Sequence, residues 1–414
     1  MKLRPFIFTQ LICTLLIFVV ACEPATLTSL PVATVTATSL NATVTSLPLP
    51  ITTVTTTPEN DSVAQTCLNV LPGPPAGFTA KGIIPLEDFQ TVKTGFLNLE
   101  TGDNSNIPAI EPIMQSYSVS PDHQTLAYKI RQNGSYSLVL RDALNTHNQV
   151  VLEKQADFEL YRWLNNQQLF LGEPGKYVVF NPHTKEEKDY SNADFPDYDT
   201  DNARNDWVFF DSTLTRAIYK HSAIFLVNME SKKIIARIAD GFDRTPVAEW
   251  TTDGSEAAIV GTTAVGTTGT RMGDNIFAVG RDGQVTQLTH LAEKYGTGFN
   301  IHSMSWSPDS RHIAFWMWYS GVTPYNWQLA VLDITSSKVT NYCISTDPYA
   351  TPAGRPYFQG LSAPIWSPDG KQVIVELRAE GSASSIVLVD TTQNIAFQIA
   401  QNAYPVGWML PVAP

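Results

Sequence analysis

A short motif returns seven times along this chain, and a chain built that way folds as an array of like units around a shared axis rather than as a single globule. Its clearest copies are Trp306-Ser307-Pro308-Asp309-Ser310, followed by Ile313-Ala314-Phe315, and Trp366-Ser367-Pro368-Asp369-Gly370, followed by Val373-Ile374-Val375. Looser copies are Val119-Ser120-Pro121-Asp122 with Leu126-Ala127-Tyr128, and Trp250-Thr251-Thr252-Asp253-Gly254 with Ala258-Ile259-Val260. Degenerate ones stand at Trp163 and Phe210, and a last anchor at Trp408. The chemistry is strand, tight turn, strand. Proline presets φ at the first corner, aspartate accepts a backbone N–H, and glycine relieves the exit. Each copy precedes a second hairpin of apolar residues, such as 329–333, 386–390, 224–228 and 137–141. Two hairpins make a four-stranded blade, the unit of a β-propeller.

Six full blades fit between the anchors at 119 and 408. An orphan outer hairpin lies ahead of them, at 95–99 with the turn 100–102, and one inner strand near 404–408 follows. The two remnants complete one another, so the ring is expected to close with strands from both ends of the domain. Seven blades result, with six or eight as alternatives, and closure protects the sheet edges. The run WSPDG, then an apolar triplet, then LVLVD resembles the TolB-like propeller repeat, a relative of WD-type blades, over roughly residues 95–408. The small α/β domain that precedes the propeller in that family is not apparent here, so the resemblance implies the fold and leaves the role open.

The N-terminus points to where such a ring resides. Lys2 and Arg4 precede an apolar run at 6–20, and Val19-Val20-Ala21-Cys22 closes it. This is a secretory pattern, and its end resembles the bacterial lipobox, which implies that Cys22 carries lipid after residues 1–21 are removed. The apolar run is short for a membrane-spanning helix. The expected location is the outer face of the bacterial cytoplasmic membrane or the cell surface. Residues 22–66 are rich in Thr, Ser and Pro, with no Lys or Arg before Lys81, a composition that builds no core and reads as an extended linker. The propeller is assigned to 67–414. Cys67 and Cys343 remain as an even pair, either a disulfide stapling the start of the domain to a late blade or two buried thiols.

A formal net charge of -12 excludes a nucleic-acid binder, which needs clustered Lys and Arg. There is no G-x-S-x-G elbow and no H-E-x-x-H zinc signature. The long insertions, 261–275, 290–302, 318–327 and 344–362, all fall on one end of the ring by strand order, and loops of that length in a compact fold are commonly functional. They hold Trp318, Tyr319, Tyr325, Trp327, Tyr349, Arg355, Tyr357 and Phe358, residue types suited to stacking on sugars or clasping peptides. The competing reading is core between blades. Asp197, Asp199 and Asp201 alternate in a manner that suits calcium, or else form a solvated acidic loop. The expectation is a monomeric, non-enzymatic binding or scaffold module, without cofactor, for an envelope protein or polysaccharide. The alternatives are a propeller enzyme acting on extracellular carbohydrate and a purely structural platform.

Overall fold

The computed structural model describes residues 55–56, 63–88, 93–103, 109–110, 116–143, 148–196, 208–220, 223–240, 248–262, 273–296, 298–319, 326–350 and 361–411. Seven antiparallel sheets follow one another in chain order. Their innermost strands are Ser116–Val119, Glu159–Asn165, Val208–Phe210, Ala248–Trp250, Asn300–Trp306, Ile365–Trp366 and Ala403–Pro405. These head blades 1 to 7. The seventh blade is composite, as the repeat arithmetic requires. Ala403–Pro405 pairs with Ile83–Asp88, which pairs with Lys93–Asn98, and Thr94 bridges Ile110 at the outer edge. The C-terminal end therefore gives one strand and the N-terminal end the rest, including Ile83–Asp88, which lies ahead of the expected hairpin.

Why the blades hold together follows from the two-residue period of a strand. In His312–Trp318, Ile313, Phe315 and Met317 pack toward blade 4, while Ala314 and Trp316 pack toward blade 6. Both faces are buried, so the strand reads as continuously apolar. The hydrophobic core accordingly divides into seven layers, one between each pair of neighbouring blades, the last joining blade 7 to blade 1. That closed circuit fixes the blade number at seven.

The stretch ahead of the first full strand is not all free tether. Thr55–Thr56 pairs in parallel with Val285–Gln287 on blade 4, Ala64–Gln65 with Lys338–Thr346 on blade 5, and Val70–Leu71 with Ile395–Gln401 on blade 6. The chain thus straps the outer rims of three consecutive blades, and strand pairing begins inside the 22–66 span that composition assigns to linker. Residues 1–54, with Cys22, lie outside the described residues. Cys67 and Cys343 form a disulfide at the middle of the strap, with Cα atoms 4.7 Å apart, within bridging range. Blade 5 prepares the position with a bulge: pairing jumps from Gln328–Ser345 to Ala330–Asn341, and Cys343 takes a φ of 55°.

The ring closure is tight at Gly82, whose φ of 132° is one that side chains avoid. A Cβ there would strike the Trp408 indole and come within 2.9 Å of the Met409 carbonyl. Gly82→Ala is expected to cost about 1–3 kcal/mol for overpacking alone, read as a lower urea midpoint at unchanged slope.

Candidate functional site

The two ends of the ring are built differently, because antiparallel blades send the first and third turns to one end and the second turn and blade-to-blade links to the other. At the first end the Ser-Pro-Asp turns are closed by their own side chains. Ser307 Oγ donates to Asp309 Oδ1 (2.5 Å) and accepts from the His312 amide (2.9 Å). Ser367 with Asp369, Ser120 with Asp122, and Thr251 with Asp253 repeat the arrangement. The anchor tryptophans are inter-blade wedges. Trp163 Nε1 donates to Ser118 O, Trp250 to Phe209 O, Trp306 to Glu249 O and Trp366 to Ser305 O, at 2.8–3.1 Å. Each reaches the residue just before the previous blade's anchor. Trp408 instead donates to Lys81 O at 2.9 Å, locking the closing blade.

The opposite end carries the long loops, on blades 4 to 6. Tyr319 stacks on Tyr295 with centroids 4.5 Å apart, and Tyr295 stacks on Phe299 at 5.3 Å. Tyr349 is 59% exposed. Trp318 is half-buried against the layer between blades 5 and 6, and its indole N–H is buried without a hydrogen-bond partner among the described residues. Trp327 requires a correction. It is core of that same layer, 8% exposed, with His302 edge-on at 5.6 Å, because its period-two position turns it between blades. Tyr325, Arg355, Tyr357 and Phe358 lie outside the described residues, as do Asp197, Asp199 and Asp201. Among the described residues no cluster of His, Cys, Asp or Glu is arranged to hold a metal.

A central cavity of about 580 Å³ opens at the tight-turn end. Two charged side chains border it, Arg162 from blade 2 and Glu249 from blade 4. Both occupy the position just before the anchor, where blades 1, 3, 5 and 6 carry Ser118, Phe209, Ser305 and Ile365. Reading that one column across the repeats would have shown them; reading the repeats only for strands and turns hid it. Tyr295 and Phe299 both lie in the 290–302 insertion, and the stack of Tyr295 on Tyr319 depends on contact between two separate loops, which the sequence does not show.

Burial pushes the Glu249 carboxyl up to about 7, against the opposing pull of the Arg162 charge and the Trp306 main-chain N–H. A carboxyl whose folded-state value lies above its ordinary 4.5 binds its proton more tightly in the folded chain. Its contribution to stability is therefore lost as pH rises from near 4.5 through about 7. Glu249→Gln is expected to remove that slope, so that the variant gains on the parent at about pH 8 relative to about pH 4. Urea midpoints for both proteins at both pH values check this.

The circuit of seven inter-blade layers settles the architecture without reference to any relative. The chain is a seven-bladed propeller, similar to TolB. No known protein family and no curated protein matches its sequence. Among solved structures it is similar to TolB from Acinetobacter baumannii, at 16% identity and a TM-score of 0.43, over 70% of this chain and 67% of that one. It is similar to an oligogalacturonate lyase in complex with manganese, at 13% identity and a TM-score of 0.48, over 78% and 86% of the two chains. The β-propeller domain of Myceliophteria thermophila Cps50 is a third, at 11% identity and a TM-score of 0.42, over 72% and 94%. These are likenesses of fold.

Proposed function

We propose that this propeller is a lipid-anchored, extracytoplasmic binding module whose long-loop end engages an envelope protein or polysaccharide. The observation that carries this reading is a coincidence of position. The blades that bear the long insertions, 4, 5 and 6, are the same three whose outer rims are strapped by the N-terminal segment and stapled by Cys67–Cys343. Loops that bind are held best on a rigid support, since ordering them at the moment of binding costs affinity. The test is affinity capture. The chain from residue 23 onward, immobilised, is expected to retain a specific envelope protein or polysaccharide, and Tyr349→Ala with Tyr319→Ala is expected to weaken retention about tenfold or more. Tyr349→Ala alone should change stability by no more than about 0.5 kcal/mol. Equal retention by the loop variants, or none by the parent, would sink the proposal.

A second reading, an enzyme of extracellular carbohydrate, draws support from Glu249, whose carboxyl titrates near the range a general acid needs. Release of reducing ends from a retained polysaccharide, abolished by Glu249→Gln, would replace the first reading with this one.

A further inference from the structure

We infer that the cavity at the tight-turn end, on the opposite side from the loop-bearing face, is a binding site for a small organic carboxylate that also carries a hydroxyl or ammonium donor. The argument starts from what the ring architecture needs at the position before each anchor. An inner strand has no partner on its channel side, so its polar backbone groups must be met by side chains. Ser118 does this with a hydroxyl, accepting from the Trp163 amide at 3.0 Å, and Ser305 donates to Pro364 O at 2.6 Å. Phe209 and Ile365 occupy the same position with no polar group at all. Closure therefore requires no charge here. Two partly buried charged side chains cost stability that a serine would not, and both stand in one cavity.

Their unused bonding capacity defines the ligand. A guanidinium has five N–H donors. Arg162 spends one, from Nη2 to Phe210 O at 3.1 Å, and makes no ion pair among the described residues. Arg162 borders the cavity, and the planar fork of its remaining donors matches a carboxylate. The Glu249 carboxyl accepts the Trp306 main-chain N–H and has further lone pairs for a hydroxyl or ammonium. Above about pH 7, where the Glu249 carboxyl is ionised, a bare anion such as phosphate would meet its charge, and a bare cation would meet Arg162. Only a molecule carrying both functions satisfies both. Around them the wall mixes tryptophan and proline, such as Trp163, Trp306 and Pro308, with hydroxyl side chains such as Ser118, Ser212 and Thr251, which suits a short carbon skeleton that also carries polar groups. A volume of about 580 Å³ is ample for such a molecule.

The experiment is titration of the full chain with lactate, glycine, acetate and inorganic phosphate, followed by tryptophan fluorescence, since several tryptophans line the cavity. Saturable binding of lactate or glycine, about tenfold or more tighter than acetate and without phosphate binding, is the expected result; which of the two wins tells a hydroxyl from an ammonium donor. Arg162→Gln should weaken binding about tenfold or more, and Glu249→Gln should erase the preference over acetate. No saturable binding by the unmodified chain overturns the inference, as does unchanged affinity in a folded Arg162→Gln protein. Should that variant not fold, retention of the full preference over acetate in Glu249→Gln would overturn it equally. Tyr349→Ala, at the other end of the ring, should leave this binding untouched whether or not the loop face binds a partner.

Discussion

Replacing Trp306 with alanine is expected to destabilise the propeller by about 3–5 kcal/mol, the range for emptying a buried aromatic site. Trp306 is 7% exposed and belongs to the layer between blades 4 and 5. Its loss opens a cavity that Met304 and Ile313 cannot fill, since their strands are held in register by their own ladder. It also strips the Glu249 carbonyl of the indole N–H that meets it at 2.9 Å, and an orphaned buried acceptor carries its own cost. Trp306→Phe separates the two effects. Phe210 fills the equivalent position in blade 3, so a phenyl ring is compatible with the site. That variant should lose about 1 kcal/mol, chiefly the hydrogen bond. Urea unfolding of both proteins checks the pair; near-equal losses would show that the bond, not the packing, dominates.

Cys67→Ser is expected to cost about 2–4 kcal/mol, because the bridge closes a loop of 276 residues in sequence separation and restricts the unfolded chain accordingly. The effect on the native state should be local. Without the bond, the strap on blade 5 is held by the Ala64–Gln65 pairing and the amide bonds from Thr66 to Asn341 O and from Leu68 to Tyr342 O. Segments with few contacts open first. Limited proteolysis should therefore cut the variant between residues 56 and 82 before any blade is cut, while the parent resists until reduced. Equal protection of the two proteins would mean that the strap is held by pairing alone.

Much of the architecture was legible before any coordinates. A turn built on Ser-Pro-Asp is a local object, and its hydrogen bonds close within about five residues, as Ser307 shows with Asp309 and His312. The pairing of the two chain ends was legible as well, since one inner strand and one outer hairpin were left over and edges seek partners. The site was far less so. Trp318 and Trp327 are nine residues apart on one hairpin and look alike as sequence, yet one is half-buried and the other is core. Both side chains face the layer between blades 5 and 6, and the difference depends on how fully that layer covers each of them.

What the sequence by itself determined is whatever rests on neighbours in the chain: the strand period, the turn chemistry, the repeat, and through them the propeller. What only the tertiary structure decided is whatever rests on residues far apart in the chain. The strap from 55 to 71 pairs with strands more than two hundred residues away. Its Thr-rich composition shows no apolar alternation, because a strand at the rim is held by backbone hydrogen bonds that every residue type can make. The placement of Arg162 and Glu249 around one cavity is of the same kind. Each is an ordinary charged residue in its own repeat, and only closure of the ring sets both, partly buried, at the edge of one cavity.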